Sequence, residues 1–167
     1  MIWIKVLTFT LLFNMFCIVG IAGQWKEFKR ETISFKNGNS YTISVSKRYD
    51  QDEMLECKVS VMQAGNTKPL REFLQKYAYE YGKFHILKSD AKAFIVSEIN
   101  LGGAHCMNQY AAFFLEDNGA IKYEKEVEDY GYIITNKQKV IFDMMGDRII
   151  YQVTKGGISK TRKKGKG

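Results

Sequence analysis

Alternation of apolar and polar residues is the dominant pattern of this chain, and it predicts β-strands because side chains two positions apart on a strand share a face. The segment MLECKVSVM shows the pattern most regularly. Its apolar face carries Leu55, Cys57, Val59 and Val61. We therefore expect Cys57 to face the core of the protein.

Two Asn-Gly pairs stand between alternating segments, and Asn-Gly is the strongest short sequence signal for a β-hairpin. Asn37-Gly38 divides ETISFKNGNSYTISV, and Asn118-Gly119 divides YAAFFLEDNGAIKYEKEV. Further strand-like segments follow in the C-terminal half across short connectors such as NKQ and MGD. Such connectors join antiparallel strands, because a parallel crossover needs about a dozen residues. The pattern predicts two hairpins and a C-terminal antiparallel meander.

One segment, TKPLREFLQKYAYEYGKF, follows a helical period. Thr67 is a candidate cap, Pro69 falls in the first turn and Gly82 stands where the helix would end. Five apolar residues recur at helical spacing: Leu70, Phe73, Leu74, Tyr77 and Tyr81. We expect an amphipathic helix over residues 67–82, with its aromatic stripe packed on a sheet.

These elements predict a fold that is mainly β: an antiparallel meander, arranged as a curled sheet, a partial propeller or a sandwich, with one amphipathic helix. The alternative is an α+β fold in which the helix packs across an antiparallel sheet. The chain has one proline and no low-complexity linker before its C-terminal tail. We therefore expect a single β-rich domain over residues 23–158.

The N-terminus is organised as a secretory signal peptide. Lys5 precedes an apolar run, and the small residues Gly20 and Ala22 stand three and one positions before the expected cleavage site. We expect residues 1–22 to be removed, with cleavage after Gly23 as the near alternative, and the product to reach the periplasm or the medium. The other alternative is an uncleaved membrane anchor, because the run is just long enough to span a bilayer.

The net charge of +7 is concentrated at the C-terminus. Without Lys5 and the five basic residues of KTRKKGKG, 19 basic residues face 18 acidic ones. The body of the protein is thus close to neutral, which argues against nucleic acid as a partner. We expect residues 159–167 to form a disordered basic tail with at most weak contact to an anionic envelope.

Export changes the meaning of the cysteines. Only Cys57 and Cys106 remain after the leader is removed, and in an oxidising compartment a disulfide between them is expected. Cys106 follows His105 in GGAHC, which raises a catalytic cysteine–histidine pair as the alternative. Adjacent strand residues point to opposite faces, so such a cysteine would need His85 as its base.

Acidic residues cluster in YEKEVEDYGY. A period of two places its three glutamates on one face of a strand. Simple solvation explains such a face, and the alternative is an acidic strip that docks a basic protein partner. We assign partner binding to the acidic residues and the neighbouring tyrosines: Tyr123, Glu124, Glu126, Glu128, Asp129, Tyr130 and Tyr132.

Sequence motifs for catalysis are absent: there is no phosphate-binding loop, dinucleotide fingerprint, Gly-x-Ser-x-Gly elbow or HExxH. The histidines and cysteines lack the paired spacing of zinc ligands, and the acidic segment lacks the order of a calcium loop. We therefore assign no catalytic residue, no metal and no cofactor.

The segment from Gly102 to Ile121 resembles part of small secreted bacterial proteins built of β-hairpin repeats. In those proteins a Gly-Gly-x-His-Cys turn leads into an aromatic strand and an Asn-Gly hairpin, as GGAHC and NQYAAFFLEDNGAI do here. The relatives commonly carry a second cysteine directly after the first, where this chain has Met107. The resemblance implies a secreted bacterial β protein of the binding or immunity kind.

Together these observations predict an exported bacterial binding protein. The best fit is an immunity protein or inhibitor that neutralises a cell-envelope-targeting toxin or hydrolase by occluding its site, so a protein partner is expected. One alternative is an envelope hydrolase that uses His105 with nearby carboxylates. The other is a surface or adhesion component held by the basic tail.

Overall fold

The computed structural model describes residues 23–49, 55–78, 80–100, 109–127, 132–136, 138–144 and 146–165. These residues form twelve β-strands and one short 3-10 helix, η1. The elements are β1 (Lys26–Ser34), β2 (Ser40–Tyr49), β3 (Leu55–Gln63), β4 (Arg71–Ala78), β5 (Glu80–Lys88), β6 (Lys92–Asn100), β7 (Gln109–Glu116), β8 (Ile121–Tyr123), η1 (Lys125–Val127), β9 (Tyr132–Asn136), β10 (Lys139–Met144), β11 (Asp147–Thr154) and β12 (Gly157–Lys163).

The strands form three antiparallel sheets, each made of four consecutive strands. Sheet A contains β1 to β4, sheet B contains β5 to β8 and sheet C contains β9 to β12. Within each sheet, neighbours in sequence are neighbours in space. The prediction of a mainly β, antiparallel fold is confirmed. Both Asn-Gly hairpins are also present, joining β1 to β2 and β7 to β8.

Sheet B lies in the middle of the stack and is buried on both faces. On β6, Ala93 and Ile95 belong to the apolar cluster shared with sheet A, whereas Phe94 and Val96 belong to the cluster shared with sheet C. A strand covered on both sides has no polar face, which explains the unbroken apolar run AFIV. Sheets A and C each bury one face against sheet B.

Aromatic residues hold both interfaces of the stack. Between sheets A and B, the ring of Phe73 stacks on Phe113, with centroids 4.7 Å apart. Between sheets B and C, the ring of Phe94 stacks on Tyr151 at 4.1 Å, and Tyr110 meets Phe142 edge to face at 5.2 Å. Offset stacking and edge-to-face contacts are the favourable geometries for such rings.

The predicted helix over residues 67–82 is wrong, because the structure forms β4 and β5 from Arg71 onward. The aromatic residues that suggested it are four positions apart, and a spacing of four returns to the same face of a strand as well as of a helix. Phe73 lies opposite Val59 on the neighbouring strand and packs into the core. Gly82, taken as a helix end, lies at a register shift between β5 and β6.

The predicted disordered tail is corrected for its first five residues, because residues 159–163 belong to β12. The side chains of the tail alternate between the two faces of a strand, a pattern that its basic composition made hard to recognise. Ile158 packs against the core between sheets B and C, and Lys160 and Arg162 point to the same side of sheet C. Both cations remain exposed to solvent and form ion pairs with acidic residues there. Sheet C therefore extends beyond the predicted boundary at residue 158.

The acidic segment also departs from the prediction. Strand β8 ends at Tyr123, and residues 125–127 form η1, so Glu124 and Glu126 do not lie on a strand. Val127 is fully buried in the cluster between sheets B and C. Burial of the Val127 side chain stabilises the turn that the chain makes after β8.

The predicted leader, residues 1–22, lies outside the described residues. Within the part of the chain that the structure describes, no helix is long and apolar enough to cross a membrane. Cleavage and export therefore remain predictions.

Candidate functional site

Three turns meet at one end of the stack, and we call them the turn cluster. They are residues 35–39 between β1 and β2, 89–91 between β5 and β6, and 117–120 between β7 and β8. The turns belong to two different sheets, yet backbone hydrogen bonds join them: the amide of Lys36 donates to the carbonyl oxygen of Asp90 at 3.4 Å. Turns held on a rigid β framework are a common location for binding sites.

Asp117 is the centre of the turn cluster. Its carbonyl oxygen accepts hydrogen bonds from Asn39 Nδ2 at 2.7 Å, Tyr41 Oη at 3.0 Å and Asn37 Nδ2 at 3.3 Å. Its amide donates to the carbonyl oxygen of Ala91 at 2.9 Å. One residue therefore links all three turns. The two Asn-Gly hairpins that the sequence identifies separately are in direct contact.

Glycine is required at the second hairpin for two reasons. Gly119 has a φ of +88°, which other residues rarely adopt. A Cβ at this position would also lie 3.2 Å from Tyr41 Oη. Burial, with the charge of Asp117, raises the pKa of Tyr41, so its hydroxyl stays protonated and donates its hydrogen bond at neutral pH.

A groove of about 530 Å³ adjoins the turn cluster. It lies between residues 88–91 and the turn 153–157 that joins β11 to β12. Lys88 and Lys155 line it and are exposed, and within the described parts of the chain neither forms an ion pair. The opening can accommodate an acidic side chain of a partner. Sequence reasoning missed this groove, since nothing in the sequence brings residues 65 positions apart together.

Two of the acidic residues predicted to bind a partner, Glu124 and Glu126, form ion pairs within the chain. Lys160 Nζ lies 3.3 Å from Glu124 Oε2 and also contacts Glu126, whose other oxygen lies 3.3 Å from Arg162 Nη1. Arg162 Nη2 lies 2.8 Å from Asp147 Oδ2. Partial burial opposes the charge of Lys160, but the hydrogen bond to Glu126 and the charge of Glu124 outweigh it and raise the pKa of Lys160.

The other predicted partner-binding residues do not form one described surface. Tyr123 is half-buried and its ring stacks on Phe73, with centroids 5.3 Å apart. Glu128, Asp129 and Tyr130 lie outside the described residues. Tyr132 is the first residue of β9 and is described only for its backbone.

Cys57 is fully buried on the inner face of sheet A and forms no disulfide with any described residue. Burial raises the pKa of Cys57 to about 11, although the nearby charge of Lys47 acts in the opposite direction. A thiol with this pKa is a poor nucleophile at neutral pH. Cys106, its predicted disulfide partner, lies outside the described residues, so the disulfide stays a prediction.

We expect Cys57 to resist alkylation in the native protein. With a pKa of about 11, roughly one molecule in a thousand carries the thiolate at pH 8, and the side chain is also inaccessible. Iodoacetamide at pH 8, followed by mass spectrometry, should modify Cys57 only after denaturation. Modification of the native protein at the rate of a free cysteine would contradict this. A denatured, unreduced sample that stays unmodified would instead identify the disulfide.

His85 and Glu98 form a largely buried polar pair in sheet B. His85 Nε2 lies 3.7 Å from Glu98 Oε2, and the side chains are 14% and 12% exposed. Tyr110 lies directly opposite Glu98 on the neighbouring strand and is buried with an edge-to-face contact to Phe142. This position between two sheets suits a structural role. His105, the histidine of the hydrolase alternative, lies outside the described residues.

Neither similarity to known proteins nor a metal site among the described residues assigns a function to this chain. Among the described residues, no group of histidine, cysteine and acidic side chains is arranged to hold a metal ion. No family model matches the chain, and no curated protein and no solved structure matches it. The turn cluster and its groove are therefore identified from the geometry of this chain alone.

Proposed function

We propose that this chain is an exported bacterial binding protein, an immunity protein or inhibitor that neutralises a cell-envelope-targeting toxin or hydrolase by occluding its site. The turn cluster carries the proposal. Three turns are fixed to one another through Asp117, and a groove opens beside them. This is the arrangement expected of a surface that inserts into a partner without ordering itself first.

Preorganisation is what makes the turn cluster suitable for tight binding. A mobile loop loses conformational entropy when it binds, and that loss subtracts from affinity. Here several amides of the turns already donate hydrogen bonds, among them those of Lys36 and Asp117, and the side chain of Asn118 accepts a hydrogen bond from the amide of Ala120 at 2.9 Å. Rigid inhibitors of this kind change little in backbone conformation between the free and bound states.

The charges around the groove favour an acidic contact on the partner. Lys88 and Lys155 are exposed and unpaired within the described chain, whereas the acidic residues Glu124 and Glu126 are neutralised by β12. Charge complementarity speeds association and excludes wrong partners more than it adds affinity. The turn cluster is for this reason a better candidate for docking than the acidic segment.

The proposal is tested with an enzyme captured from periplasmic extract or encoded beside this gene. Lys88→Glu together with Lys155→Glu should weaken inhibition of that enzyme at least about tenfold, because an attractive contact becomes repulsive. The matched control is Lys26→Glu, an exposed lysine at the opposite end of β1 from the turn cluster. It should inhibit like the unaltered protein.

Two results would count against the proposal. A captured hydrolase that keeps full activity when saturated with this protein would exclude inhibition. Turnover by this protein alone that disappears in His105→Ala would favour the hydrolase alternative instead.

A further inference from the structure

The edge strands of the three sheets differ in how they are protected. Natural proteins place charged residues on exposed edges, because an unpaired row of backbone groups otherwise pairs with another chain. Five of the six edge strands of the described sheets, β1, β4, β5, β8 and β12, contain charged residues. Strand β9, Tyr132–Asn136, has the sequence YIITN and contains none.

The unprotected edge is also exposed. Within the described chain β9 pairs with β10 on one side and is the last strand of sheet C on the other. Ile134 is 45% exposed. Thr135, on the opposite face of the strand, and Asn136 are exposed as well. Ile133, on the same face as Thr135, packs against the core between sheets B and C, so the exposed part of β9 is residues 134–136.

Ile134 begins an apolar row on the outer face of sheet C. Ile141 lies directly opposite Ile134, and Ile150 lies directly opposite Ile141. Residues directly opposite on neighbouring antiparallel strands share a face and contact one another. The row reaches Thr161 on β12, the charged edge of the same sheet. Along this row the residues are therefore apolar on the side of the β9 edge and polar at the β12 edge.

We propose that β9 pairs antiparallel with β9 of a second copy of this chain, which joins the two copies of sheet C into one eight-stranded sheet. The pairing is isologous, with the two-fold axis at Ile134. Ile134 then stands opposite itself, Ile133 opposite Thr135, and Tyr132 opposite Asn136. The two isoleucine rows become one row of six.

Self-complementarity is the reason to choose a second copy as the occupant. Two copies of β9 can pair antiparallel about Ile134, and no like charges then lie opposite each other because the strand has no charged residue. The β-branched residues on both sides of Ile134 also favour strand pairing. A five-residue edge is small compared with the interfaces of permanent dimers. The dimer is accordingly reversible. This inference does not depend on the proposed function.

Sedimentation equilibrium on the purified protein, from nanomolar to near-millimolar concentration, tests the pairing. The unaltered protein should associate to a dimer and no further. Ile134→Lys should weaken the dimer at least about tenfold, because two ammonium groups are brought opposite each other. The matched control is Thr161→Lys, in the same row and on the same face but at the opposite edge, and it should dimerise normally.

A charge-swap rescue separates loss of pairing from loss of fold. Ile134→Glu should also be monomeric alone, and an equimolar mixture with Ile134→Lys should restore the dimer. A monomer at all concentrations would overturn the proposal. So would a dimer that is insensitive to both Ile134 substitutions. Protection of the β9 amides from hydrogen exchange only when a foreign protein is added would assign the edge to a different partner and equally overturn it.

Discussion

Replacing Phe94 with alanine is expected to lower the free energy of unfolding by about 3–5 kcal/mol, the range for removing a large buried aromatic side chain. Phe94 is fully buried in the central sheet. Its ring stacks on Tyr151 with centroids 4.1 Å apart and lies 4.8 Å from Phe114 and 6.4 Å from Phe142. Its removal leaves a cavity between sheets B and C that these rings cannot fill.

Denaturant unfolding monitored by circular dichroism measures the loss. Phe28→Ala is the matched control, because Phe28 lies on edge strand β1, is 37% exposed and contacts Lys47 through a cation–π interaction. That substitution should cost about 1 kcal/mol or less. Equal losses for the two variants would show that sheets B and C are not packed as described.

Replacing Asp143 with alanine is expected to destabilise the protein by about 1.5–3 kcal/mol, the range for hydrogen bonds to a charged group. Asp143 is 2% exposed. One carboxylate oxygen contacts Arg148 Nε, and the other accepts a hydrogen bond from the amide of Gly146 at 3.1 Å. The carboxylate therefore fixes the β10–β11 hairpin, and alanine leaves both donors without it.

Asp143→Asn separates the two contributions of this carboxylate. The amide oxygen can still accept from Gly146, but the charge attraction to Arg148 is lost. We expect a loss intermediate between the unaltered protein and Asp143→Ala, measured by the same denaturant unfolding. A loss below about 0.5 kcal/mol in Asp143→Ala would place this site among ordinary surface positions and contradict the prediction.

The contact between β12 and η1 changes the interpretation of two sequence features at once. A basic tail and an acidic segment each indicated an external partner when considered alone. In the structure Lys160 and Arg162 pair with Glu124 and Glu126, so these residues of the two features neutralise each other. Exposed pairs of this kind contribute little to stability, but they engage Glu124 and Glu126 within the chain rather than with a partner.

The sequence predicted most of the strands and both hairpins correctly, because these depend on local alternation and on turn residues. Asn37-Gly38 and Asn118-Gly119 join the expected strands. It failed where a local pattern fits two structures. The four-residue spacing of Phe73 and Tyr77 fits a helix as well as a strand. In the structure this segment is a strand because its backbone pairs with β3.

The candidate site could be predicted only in its parts. The sequence identifies Asn37 and Asn118 as turn residues, but Asp117 carries no signal that its carbonyl and its amide together join three turns. The groove between residues 88–91 and 153–157 depends on the stacking of sheet C against sheet B. Neither contact has a counterpart in local sequence.

The amino-acid sequence by itself determined that this protein is built of antiparallel strands, because alternation and hairpin residues act over a few positions. The tertiary structure decided which faces are buried, how three meanders stack and which charges meet. Those outcomes depend on contacts between distant residues, such as Phe94 with Tyr151 and Glu126 with Lys160. They are selected by packing of whole sheets, which no short stretch of sequence encodes.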